Sequence, residues 1–120
     1  MSILLEAGLG PDSSRLTAQI RCDLQGAATG KLLNLALVEG GIQVKVKRGE
    51  NGGRTLPHEN VVPAFQTVPL KGPGLGLYTL DIPSGTRIEH AAVFAYAQDP
   101  ETLGILAAAR AGFGPAPGMP

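Results

Sequence analysis

From Arg15 to Leu24 polar and apolar residues alternate without a slip. Leu16, Ala18, Ile20, Cys22 and Leu24 fall on one side, and Arg15, Thr17, Gln19, Arg21 and Asp23 on the other. A helix would scatter these apolar groups around its circumference, whereas an antiparallel strand gathers them on one face and leaves the other wet. The same period recurs in Leu33, Leu35 and Leu37, in Ile42, Val44 and Val46 set against Gln43, Lys45 and Lys47, and in Tyr78, Leu80 and Ile82. Ala91–Gln98 and Leu103–Arg110 are further apolar runs, separated by Asp99-Pro100-Glu101-Thr102, a turn sequence of hairpin length. The alanines of the last run suit a helix by propensity, but its spacing and Gly104 favour a strand.

Glycine and proline punctuate these runs. Gly8-Leu9-Gly10-Pro11 makes the start a loose arm or, at best, a short edge strand, and Gly40-Gly41 predicts a hairpin into the strand that follows. Val61 to Leu70 is rich in β-formers but carries Pro63 and Pro69, which cannot donate to a ladder, so this piece belongs on an edge or contains a bulge. About seven short strands with no long amphipathic helix predict an all-β fold, an immunoglobulin-like antiparallel β-sandwich. The expected organisation is an N-terminal arm over 1–13, the sandwich over 14–111 and a disordered tail over 112–120.

A chain of 120 residues can bury one core, and with 4% aromatic residues and no tryptophan that core must be aliphatic. Ten basic and ten acidic residues cancel, which removes the electrostatic footprint of a nucleic-acid binder. No apolar run reaches the ~20 residues of a membrane span, and Met1 to Glu6 lacks the basic start of a signal peptide, so a cytoplasmic location is expected for the chain as given. The lone Cys22 supports neither an intrachain disulfide nor a multi-cysteine zinc site, and its place in an alternating run reads as a small buried hydrophobe.

Polar chemistry concentrates in Arg48, Glu50, Asn51, Arg54, His58 and Glu59, interrupted by glycines. Two readings are open. In one, Glu50 orients Arg54 or Arg48 so that a free guanidinium or His58 meets an anionic or carbonyl ligand. In the other, Glu50 and an arginine form a partly buried pair that pins a long loop. No catalytic residue is assigned: Ser13, Ser14 and Ser84 lie in turns outside any nucleophile elbow, and His58 and Glu59 stand without an identifiable nucleophile. His58 and His90 lack the ligand spacing of a metal site, and the glycines of 72–76 lack the strand-then-helix frame of a nucleotide fingerprint, so no metal and no cofactor are expected.

The run from Arg48 to Val62, RGENGGRTLPHENVV, resembles a motif of an uncharacterised bacterial family, the domain of unknown function twelve twenty-three. VFAYAQD at 93–99 and LGILAAAR at 103–110 are similar to that family's closing hairpin, and the likeness spans residues 33 to 111. The resemblance implies that this chain corresponds to a β-sandwich part which, in relatives expected to be exported, follows a thioredoxin-like part. It implies no redox activity here, since this chain has no Cys-x-x-Cys. Pro63 stands where the family pattern has arginine, and Lys71–Gly76 replaces an aromatic-rich segment, so a ligand contact made by that arginine is lost. The functional expectation is a non-enzymatic interaction module that binds a protein partner or forms a homo-oligomer through the motif loop or a sheet edge, the C-terminal hairpin being the edge in view. The alternative is a small-molecule, anion or metal-binding accessory domain to a separate redox protein.

Overall fold

The computed structural model describes residues 1–11, 14–40, 43–45, 55–57 and 61–114, with 43–45, 55–57, 61 and 114 described by backbone alone. The strands are β1 (Ser2–Leu9), β2 (Thr17–Gln25), β3 (Leu32–Glu39), β4 (Gln43–Lys45), β5 (Thr55–Pro57), β6 (Val61–Pro69), β7 (Gly74–Asp81), β8 (Ala91–Gln98) and β9 (Ile105–Gly114). A single 3-10 turn, Ile88–His90, precedes β8, and the described residues contain no α-helix. The all-β expectation holds, with seven strands in the main sheet, ordered β6-β3-β8-β9-β1-β2-β7. All its neighbours are antiparallel except β1 and β9, which run parallel and pair only Ala7 with Phe113 and Gly8 with Gly114.

The sheet buries its inner face against itself. Ala18, Ile20, Cys22 and Leu24 of β2, with Leu80 and Ile82, share one apolar cluster with Leu33, Leu35 and Leu37 of β3 and with Ala91, Val93 and Ala95 of β8. Ile20, Leu33, Leu35, Leu37 and Val93 are fully buried, although no helix among the described residues covers them. The β1-β2-β7 half must therefore lie over the β6-β3-β8 half. β9 joins them, and its inner face is lined by Ala107, Ala109 and Ala111, small groups where the halves converge. Each buried Leu, Ile or Val contributes roughly 1.5–3 kcal/mol, so these aliphatic residues carry the fold without aromatic mass in the centre.

β6 is an edge strand, as its prolines require, and it also has a bulge. Leu37 to Glu39 of β3 spans two steps while Ala64 to Val61 of β6 spans three, so the extra residue falls beside Pro63. The last two strands form the expected hairpin. Asp99 Oδ1 accepts from the N–H groups of Glu101 (2.8 Å) and Thr102 (3.2 Å), and the Leu103 N–H donates to the Asp99 carbonyl at 2.8 Å. Leu103 takes φ 63° to close the turn, and Lys31 Nζ holds Asp99 Oδ2 at 3.1 Å.

Several expectations are corrected. Residues 2–9 form neither an arm nor an edge: β1 pairs along its whole length with β2 and touches β9 on its other side. Its own alternation explains this, because Ala7 is buried in the core and Ile3, Leu5 and Leu9 pack against it. The strand after Gly40-Gly41 makes no hairpin with β3. β3 is already paired on both sides, by β6 and β8, and β4 pairs instead with β5. Leu16, assigned to the inner face, precedes β2 and is 41% exposed. The expected tail begins too early, since β9 runs to Gly114 and Phe113 packs on the core. The C-terminal hairpin is interior, and the two edges of the main sheet are β6 and β7.

Candidate functional site

Arg48, Glu50, Asn51, Arg54, His58 and Glu59 all lie outside the described residues. The flanks still locate the segment that carries them. Glu39 at the end of β3 is opposite Val61 at the start of β6, so the chain leaves and returns at one end of the same strand pair. Between those points β4 and β5 pair, with Lys45 opposite Thr55. The motif thus belongs to an excursion from the β3–β6 end of the sheet.

At the root of that excursion is an open cleft of about 270 Å³, bordered by Val38, Gly40, Glu89, His90, Ala92, Phe94 and Arg110. Its walls follow from register. Phe94 on β8 is directly opposite Arg110 on β9, both on the outer face, and the Arg110 guanidinium lies over the Phe94 ring, 5.9 Å from its centre. The end of the excursion's first limb is tied to the same place: the Gly40 N–H donates to the His90 carbonyl at 2.8 Å, and Glu39 accepts from the Arg87 N–H at 3.3 Å. A stacked guanidinium keeps its N–H donors in one plane, a geometry suited to a carboxylate or phosphate oxygen. Glu89 on the rim opposes a highly charged anion. Sequence reasoning weighed His90 only as a metal ligand and set it aside, and it missed Phe94 and Arg110. The Asp99–Thr102 turn by itself would set Phe94 opposite Ala109; the register shift between Ala97 and Gln98 brings Arg110 there instead, and the sequence carries no signal of it.

Among the described residues no group of three His, Cys, Asp or Glu side chains comes close enough to hold a metal ion. Cys22 has no exposed surface, and burial, with Asp23 adding to it, pushes its thiol up to about 11. A thiol so shielded is inert near neutral pH, in keeping with its reading as a small core hydrophobe.

The second candidate surface is the free edge of β7. The Ile82 N–H donates to the Leu16 carbonyl at 3.0 Å, and that register continues unbroken through Leu80–Ala18 to Gly74–Leu24. Antiparallel partners bond at alternate residues, so the even-numbered residues of β7 face β2. Leu75, Leu77, Thr79 and Asp81 turn their backbone N–H and C=O groups outward, with no partner strand among the described residues. Leu75 is 55% and Leu77 72% exposed, and residues 74–80 carry no charge. Sequence reasoning overlooked this edge, although the absence of proline and charge from LGLYTL marks it.

No helix among the described residues is long and apolar enough to cross a membrane. No curated protein matches this chain. A family model does, over residues 6–98, which runs from the second half of β1 to the end of β8 and takes in the motif and the cleft residues other than Arg110. The chain belongs to the family described as Protein of unknown function (DUF1223).

Proposed function

We propose that this chain is a non-enzymatic interaction module, an immunoglobulin-like sandwich that receives its partner by strand addition at β7. The observation behind this reading is the contrast between the two edges. β6 is interrupted by the bulge at Pro63 and by Pro69, whereas β7 offers outward donors and acceptors at Leu75, Leu77, Thr79 and Asp81 with two exposed leucines beside them. Strand addition draws affinity from main-chain hydrogen bonds and selectivity from the alternate side chains. Within the family, the chain would correspond to the sandwich part that follows a thioredoxin-like part in relatives. Its one cysteine is buried, so a redox role would fall to a separate protein.

Hydrogen exchange tests the edge directly. In the chain diluted to monomer the amides of Gly76, Tyr78 and Leu80 should exchange slowly and those of Leu75, Leu77 and Thr79 fast. On addition of a binding partner captured from the source cell, the fast set should slow. A captured partner that leaves those amides fast would sink the reading.

A second reading is favoured by the stacked Arg110: the cleft holds a small carboxylate or phosphate compound against Arg110 and His90. In a thermal-shift panel of such anions, a response present in the wild type and absent in Arg110→Met supports it. A flat wild-type response removes it.

A further inference from the structure

Building on the strand-addition reading, we infer that the occupant of the β7 edge is β7 of a second copy of this chain, paired antiparallel about a two-fold axis at Tyr78. In that register Leu75 is opposite Asp81 of the second copy, and Leu77 is opposite Thr79. Every outward N–H and C=O group between Leu75 and Asp81 then finds a partner on both copies. A shift by two residues in either direction brings Pro73 or the turn after Asp81 into the ladder and loses bonds.

Charge permits this pairing. A strand laid against its own copy meets its own charges, and β7 has none between Gly74 and Leu80. Asp81 already has a counter-ion, Arg15, at 2.9 Å. The side chains gain from it as well. Leu75 and Leu77 share the outer face with Leu4, which is 68% exposed, in a row running Leu4–Asp23–Leu75. Pairing sets Leu77 diagonally across from Leu77 of the second copy, with Thr79 directly opposite it, and covers apolar surface that a lone chain leaves in water.

The other edge sets the size of the assembly. On β6 the Leu70 N–H donates to the Lys31 carbonyl at 2.8 Å, so alternate residues, including Pro69, face outward, and Pro69 has no N–H to offer. With the bulge at Pro63, the outward face of β6 is blocked near both ends. With one competent edge in its main sheet, the chain makes an isologous pair that closes at two, instead of a fibre.

The test is molar mass by light scattering over a wide range of concentration, for the full chain and two variants. The wild type should be a dimer that dissociates on dilution. Leu77→Lys, at a solvent-facing position that leaves the fold intact by circular dichroism, should raise the dimer dissociation constant about a hundredfold or more. Phe65→Lys, on the blocked edge, should leave it unchanged. A wild type that is monomeric at the highest concentration overturns self-pairing, as does a dimer indifferent to Leu77→Lys or one dissolved by Phe65→Lys. In the monomeric case, capture of a host protein that Leu77→Lys abolishes would leave strand addition standing without self-pairing. Capture that Leu77→Lys does not affect would remove both.

Discussion

β2 and β3 each run through the interior of the same sheet, β2 between β1 and β7 and β3 between β6 and β8. Their inner faces are alike: Ala18, Ile20, Cys22 and Leu24 on one, Leu33, Leu35 and Leu37 on the other, all in one cluster. Their outer faces differ. Gln19, Arg21 and Asp23 of β2 stay half-exposed among Glu6, Leu77 and Thr79, whereas Asn34 and Ala36 of β3 are only 4% and 5% exposed. The cover on β3 is lateral: Ala36 is flanked by Phe65 and Phe94, and Asn34 by Thr67 and Tyr96. Large side chains on neighbouring strands overhang small ones between them, and a sheet face with no second layer among the described residues becomes dry in places. A polar group placed there needs partners. Asn34 has them: it accepts from the Thr67 hydroxyl at 2.8 Å and donates to Gln98 Oε1 at 3.2 Å, and no buried side-chain polar atom among the described residues lacks a partner.

The largest effects should come from the faces that are alike. Leu35→Ala and Ile20→Ala each leave a cavity in the shared cluster, at an expected cost of about 2–5 kcal/mol in urea unfolding with little change in m. The two halves are then one cooperative unit. If Ile20→Ala instead produced a separate early transition for its half, the common core would be refuted.

The outer faces should separate the strands. Asn34→Ala removes the bonds that the buried amide makes to the exposed Thr67 hydroxyl and to Gln98, which keeps its bond to the Leu103 carbonyl, and should cost about 0.5–1.5 kcal/mol. Arg21→Ala, at the equivalent outward position of β2, should stay within about 0.5 kcal/mol. Equal costs for the two would mean that the aromatic overhang does not dry the β3 face, and the contrast would collapse.

These strands also show what was legible in the chain. β2 is wet on one side from Gln19 to Asp23, with Thr17 of the same face covered, so its alternation is strict and could be read directly. LLNLAL of β3 is nearly continuous in apolar residues, and only the leucines revealed its inner face; that Asn34 would be covered depended on which strands flank it. β1 shows the same dependence, because its alternation was present but the Gly-Pro cluster after it read as the end of an arm. Partner choice is non-local, which is why β4 was assigned to β3 when β6 and β8 take both of its sides. The proline rule succeeded for β6 because it concerns a missing donor, a property of the residue itself. Of the site, the stretch from Arg48 to Glu59 was visible as composition, while the Phe94–Arg110 pair and the β7 edge depend on register and strand order.

The smallest contrast lies where the two strands begin. Each is entered past a cation paired with an aspartate on another strand or turn: Arg15 with Asp81 at 2.9 Å, and Lys31 with Asp99 at 3.1 Å. The first pair is open to water, with side chains 68% and 71% exposed, and Asp81→Asn should cost about 0–1 kcal/mol. The second pair is more sheltered, at 28% and 22%, and its carboxylate has further donors. The N–H of Glu101, then the Lys31 ammonium and the N–H of Thr102, hold the Asp99 carboxyl below its ordinary value. The unfolded chain therefore takes up this proton more readily than the folded one. The stabilisation is fully present above the ordinary carboxylate range near pH ~3.9, and it is lost as pH falls through the lower folded value. Thermal midpoints followed downward from about pH 5 should fall for the wild type and fall less steeply for Asp99→Asn, whose amide oxygen can still accept from the turn but carries no charge to lose. An unchanged slope in Asp99→Asn would show that the turn is held by its backbone alone and that shelter gives the Lys31 pair no advantage over its exposed counterpart at β2.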